Sequence, residues 1–183
     1  WLALTARGEL HAGDQPLEPI LLAWEHHIVL PADVFQATAD GAPARLYLQL
    51  IEDGPGPGVL VARRVGDPRA DPRDAKFVAT TFTCQPQEHG VIRRTPRNLL
   101  ELHRITEVAG LDLLTELRKI LVAWREPRDL HVARLILIVW FPKTRSPGAQ
   151  PESTDVWAFA LHKTVAELAP ILQAWDIKGG KTP

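Results

Sequence analysis

The chain has 183 residues, 45% hydrophobic and 23% charged, with 21 Lys and Arg against 22 Asp and Glu and a formal net charge of −1. That composition excludes wholesale disorder, collagen-like repeats and coiled-coil character, and the length suits one domain of about 100–200 residues. The balanced charge lacks the basic excess of a dedicated nucleic-acid binder, and the longest apolar run, seven residues at 135–141, falls short of the roughly 18–20 that a membrane helix needs.

In chain order, residues 2–12 have room for a strand, and residues 20–30 are ambiguous between strand and helix. Pro31 to Ala37 predicts a short helix with Pro31 at its first position. Residues 44–51 alternate apolar and polar side chains, as a half-buried strand does. A Gly- and Pro-rich turn at 52–58 separates them from a second strand at 59–65, forming a hairpin. The repeated Asp67-Pro68-Arg69 and Asp71-Pro72-Arg73 steps fit neither a helix nor a central strand and predict a stiff charged loop. Residues 76–83 are rich in β-branched and aromatic side chains, a third strand of an antiparallel meander.

The second half changes character. Thr95 is the expected N-cap of a helix, Pro96 its first residue and Gly110 its stop, with Leu99, Leu102, Ile105 and Ala109 on one face. A second helix places Leu113, Leu117, Ile120, Leu121 and Trp124 on one stripe, with Asp112, Glu116 and Lys119 opposite. The continuous apolar run at 132–141 predicts a central strand buried on both faces. A loop with Pro, Ser and Gly at 142–152 and a strand at 156–161 follow it. Thr164-Val165-Ala166-Glu167 is a capping box opening a last helix to about Trp175, and Pro170 inside it is expected to kink or tighten it. Trp124, Trp140, Trp157 and Trp175 read as core residues.

Together these elements predict an α+β fold: a mainly antiparallel sheet of five or six strands with three or four helices packed chiefly on one face. It would be a single domain over 1–175, with a meander-rich half (1–94), a helix-rich half (95–175) and a flexible tail or linker at 176–183. The early strands lack crossover helices, which argues against a doubly wound parallel sheet.

Three groups of residues carry candidate chemistry. Cys84, the only Cys, sits where a strand ends, with His89 five residues on and His103 downstream as candidate bases; a thiolate nucleophile needs such a base or a positive field. The alternative reading is a lone Cys acting as a small apolar residue. Of the seven His, no pair has the i,i+4 spacing of a zinc helix, and one Cys cannot build an all-Cys site or an intrachain disulfide. No metal and no cofactor is expected. Phosphate-loop, dinucleotide and nucleophile-elbow motifs are missing from the sequence.

Arg93, Arg94 and Arg97 stand at the predicted start of a helix, where cations oppose the macrodipole, and Arg104 follows. Such a cost calls for an acidic or anionic partner, or for carboxylates elsewhere in the fold. The order of a short helix at 31–37, a three-stranded meander, His89-Gly90 and then helices is similar to that of a ubiquitin-conjugating core over residues 31–125. It departs from that family where Cys84-Gln85-Pro86-Gln87 replaces the His-Pro-Asn triplet, where Val91 and Ile92 rather than a Cys follow Gly90, and in the strand 132–141. Membership is therefore not inferred, and the likeness implies only an acyl or thioester transferase using Cys84 as an alternative.

The expected function is a non-catalytic interaction or regulatory domain that binds another protein, or a further domain of the same protein, through the arginines. Nucleic-acid binding is the second alternative, and no membrane contact is expected. The lack of any Met, the start at Trp1 and the polar residues 176–183 predict a segment of a larger protein or complex. The excess of Arg over Lys with plentiful Ala, Pro, Gly and Leu suggests a bacterial source, and the single Cys fits a reducing, cytoplasmic compartment.

Overall fold

The computed structural model describes residues 20–22, 27–30, 47–51, 56–64, 77–90, 94–126 and 128–175. The expected strand at 2–12, the helix at 31–37, the charged loop at 67–73 and the tail at 176–183 lie outside the described residues. The ambiguous segment 20–30 contains two short strands, β1 (Ile20–Leu22) and β2 (His27–Val29). Next come β3 (Tyr47–Ile51), β4 (Val59–Arg64) and β5 (Phe77–Thr83), and then a two-residue β6 (Gln87–Glu88). The expected meander does not form, because β5 pairs with β3 rather than with β4 and leaves β3 in the middle of the three. Helices α1 (Leu99–Val108) and α2 (Leu113–Ala123) lead through a 3-10 helix (Arg128–Val132) to β7 (Arg134–Thr144), β8 (Ser153–Thr164) and α3 (Val165–Ile171).

The sheet is larger and more mixed than the sequence predicts. Seven strands run in the order β1-β8-β7-β5-β3-β4-β2, and β6 pairs with the far end of β7. The β3–β4, β3–β5, β7–β8 and β1–β8 pairs are antiparallel, but β5–β7, β2–β4 and β6–β7 are parallel. The central β5–β7 pair is parallel because α1 and α2 form the crossover that returns the chain to the same end of the sheet.

Side-chain alternation then sorts the apolar residues onto two faces. Val78 and Phe82 of β5, Leu135, Leu137, Val139 and Phe141 of β7, and Phe159 and Leu161 of β8 pack against Leu99, Leu102, Leu113, Leu117, Ile120, Leu121, Val165 and Leu168 of the three helices. A second cluster, of Leu48, Leu50, Leu60, Ala62, Phe77, Ala79, Ile136, Ile138 and Ala160, contains no helical residue. Every residue from Leu135 to Val139 is buried, which accounts for the unbroken apolar run. Trp124 is buried, while Trp140, Trp157 and Trp175 are partly buried against the clusters.

Several boundaries shift for local reasons. The N-cap of α1 is Asn98, not Thr95: its backbone is extended (φ −152°, ψ 170°) and its side chain accepts from the N–H of Glu101. Pro96 disfavours helical backbone at Thr95, and the Asn-x-x-Glu pattern three residues on supplies a better cap. Gly110 (φ 76°) ends the helix as expected. β7 runs through Pro142 to Thr144, so the loop shrinks to residues 145–152. Proline is tolerated there because β5 pairing ends at Trp140 and β6 pairing resumes only at Lys143. The strand at 132–141 begins at Arg134, because Val132 belongs to the 3-10 helix. The capping box of Thr164 and Glu167 forms, with both reciprocal hydrogen bonds present, but α3 stops one residue after Pro170. No helix among the described residues is long and apolar enough to cross a membrane.

Candidate functional site

The end of β5 turns into a corner held by backbone hydrogen bonds. The Cys84 N–H donates to the Trp140 carbonyl at 2.9 Å, and the Gln85 N–H donates to Ala109, the C-cap of α1, at 2.8 Å. Gly110 packs against the same corner: a Cβ there would meet the Gln85 side chain at 2.5 Å. Cys84 itself is 3% exposed within the helix-side cluster. A thiol so enclosed presents almost no surface to a substrate.

His89 lies on the surface, and its Nε2 is 2.8 Å from Oε1 of Glu152. The other carboxylate oxygen of Glu152 meets Nε of Arg145 at 2.7 Å. Glu152 thereby ties the base of the 145–152 loop to the segment after β6, reinforced by the His89 N–H donating to Thr144 and the Glu152 N–H donating to Lys143. Between these two walls lies an open cleft of about 500 Å³, bounded by Gln85, Pro86, Glu88, Thr144 and the 147–151 loop. Sequence reading does not bring these two walls together, because the Glu152–His89 pairing joins residues 63 positions apart.

His103, on α1, turns its Nδ1 toward Oδ1 of Asp112 at 3.8 Å, too long for a hydrogen bond. Asp112 is occupied as the N-cap of α2: it accepts from the Thr115 hydroxyl at 2.7 Å and from the Thr115 N–H at 3.1 Å. These bonds, the hydroxyl first, hold its carboxyl below the ordinary value, with smaller contributions from His103 and Lys119. Thus His89 and His103 each face a carboxylate of their own, Glu152 and Asp112. Among the described residues no cluster of three or more His, Cys, Asp or Glu side chains could hold a metal.

The arginines are arranged differently from the expectation. Arg94 and Arg97 precede the helix, and Arg93 lies outside the described residues. The first turn of α1 is acidic: the Oε2 of Glu101 accepts from the backbone N–H of Arg97 at 2.8 Å. Glu101 thereby supplies the negative charge that a helix start prefers, and Arg94 and Arg97 lie before the helix rather than in its first turn. Arg94, Arg97 and Arg104 are all exposed. Among the described residues, no carboxylate lies within ion-pair distance of any of the three guanidiniums. Arg104 stands on the outer side of α1 with Leu100 and Val108, at i−4 and i+4, in a row opposite the buried Leu99, Leu102 and Thr106. Val108 is absent from the apolar stripe that the sequence suggests, and the 100-104-108 spacing is the signal that would have found it.

Compared with known proteins, the chain matches no family model, no curated protein and no solved structure.

Proposed function

We propose that this chain is a non-catalytic interaction or regulatory domain that binds an acidic partner through Arg94, Arg97 and Arg104. The observation that carries the reading is the set of three exposed guanidiniums with no ion-pair partner among the described residues. Three other surface cations are paired within the fold, Lys119 with Glu116, Lys143 with Asp155 and Arg145 with Glu152, whereas exposed Arg118 reaches only the Gln173 carbonyl and exposed Arg125 has no ion pair among the described residues. Arginine also offers a planar fork of donors that suits carboxylates. The near-complete burial of Cys84 and the engagement of His89 with Glu152 favour this reading over the cysteine-dependent transferase.

Binding to poly-glutamate, followed by calorimetry at low and high salt, tests it. The expected result is measurable binding that weakens as salt rises and falls more than tenfold in the Arg94→Glu/Arg97→Glu/Arg104→Glu variant. Binding that the triple reversal leaves intact would overturn the reading, as would no binding at low salt.

A further inference from the structure

From the outer row of α1 we infer that the partner contributes an acidic amphipathic segment of a protein, with apolar side chains beside its carboxylates, rather than a polyanion such as nucleic acid. The inference rests on the proposed acidic-partner reading and specifies its chemistry. Leu100, Arg104 and Val108 occupy i, i+4 and i+8 on α1, so their side chains follow one another along one line about 12 Å long. Val108 is 86% exposed, more than any other large apolar residue among those described. Leu100 is half-buried and belongs to neither core cluster. The row thus alternates apolar, cationic and apolar groups, and the cation has no carboxylate partner among the described residues.

A phosphate backbone would use Arg104 and leave Leu100 and Val108 unsatisfied. A segment with a carboxylate flanked by apolar side chains would use all three. Charge at the margins narrows the fit. Glu101, on the Val108 side, is already bonded to the Arg97 N–H. Glu107, exposed three residues beyond Arg104, borders the row on the Leu100 side. Partner carboxylates are therefore repelled from that margin and drawn to the Arg104 line, a repulsive element that sets register as well as attraction does.

The test uses the full chain and three probes, with affinity read by fluorescence anisotropy: a helical peptide with Glu and Leu interleaved along one face, an isomer of equal composition with Glu and Leu on opposite faces, and a single-stranded oligonucleotide. The interleaved peptide is expected to bind at least tenfold more tightly than the other two. Val108→Ser should weaken it about fivefold while leaving poly-glutamate binding unchanged, and Glu107→Lys should strengthen it severalfold. The inference is overturned if the oligonucleotide binds as tightly as the interleaved peptide, if the two peptides bind equally, or if Val108→Ser has no effect. In the last two cases continued loss of poly-glutamate binding in the triple arginine reversal would keep the acidic-partner reading standing, so the two failures are distinguishable.

Discussion

Helices α1 and α2 are consecutive, similar in length and buried against the same cluster, yet their outer faces are finished differently. On α2 the cations are used by the protein itself. Lys119 reaches Glu116 at 2.8 Å, and Nε of Arg118 donates to the carbonyl of Gln173 at 3.1 Å, tying the helix to the segment after α3. The Trp175 indole adds a hydrogen bond to Leu121 and stacks on His131, which in turn reaches the carbonyls of Trp124 and Arg125. On α1 the one cation, Arg104, has no such partner among the described residues, and Val108 beside it is open to solvent. Two helices with the same structural task differ on the surface, and the proposed recognition role rests on that difference.

Inward substitutions should not distinguish the helices, and that is the largest expected effect. Leu102→Ala on α1 and Leu117→Ala on α2 both remove fully buried side chains from one cluster, and each is expected to cost about 2–5 kcal/mol in chemical unfolding. A loss confined to α2 would break the symmetry of the comparison.

Gly110→Ala comes next, at the joint between the helices. It forces a side chain into φ 76° and against Gln85, with an expected cost of about 1–3 kcal/mol. A Gly110→Ala protein as stable as the parent would show that the Gln85 corner is not rigid. Asn98→Ala, which removes the α1 cap, is expected to cost about 1 kcal/mol by the same measurement.

The α2 cap and the α3 cap carry a pH signature. Asp112 is held below its ordinary value chiefly by the Thr115 hydroxyl, and Glu167 chiefly by the Thr164 backbone N–H and then its hydroxyl. A carboxyl with a depressed folded-state value contributes stability that is fully present above its unfolded value and is lost as pH falls through the folded one. Stability should therefore decline from about pH 4.5 downward. In Asp112→Asn and Glu167→Gln that decline should be shallower, as read by unfolding midpoints at a series of acidic pH values. An unchanged pH slope would contradict the hydrogen-bonding account of these caps.

Much of this frame is legible in the sequence because it is local. The stripe of α2, the doubly buried β7 and the Thr164–Glu167 box follow from periodicity and capping chemistry. What was not legible depends on partners distant in the chain. The parallel β5–β7 pairing requires knowing where the α1–α2 crossover returns, and the two-residue β6 exists only because β7 offers an edge at Lys143 and Thr144. The start of α1 was a local contest between two caps, Thr95 before a proline and Asn98 three residues before Glu101, and the hydrogen bonds decide for the second. The basic residues stand out in the sequence by their place near a helix start, which the structure moves three residues on to Asn98. Their standing as a surface rests instead on what surrounds them in three dimensions.

The central claim is that Arg94 and Arg97 before α1 and Arg104 on it serve the proposed recognition, while the cations of α2 serve the fold. Paired charge reversals test it directly: Arg94→Glu/Arg97→Glu/Arg104→Glu on one side, Arg118→Glu/Lys119→Glu on the other, each measured for unfolding free energy and for poly-glutamate affinity. The account predicts that the first variant loses more than tenfold in affinity with stability changed by less than about 0.5 kcal/mol, and that the second is destabilised more and keeps the larger share of its affinity. Equal losses of affinity in the two variants, or destabilisation concentrated in the first, would contradict it.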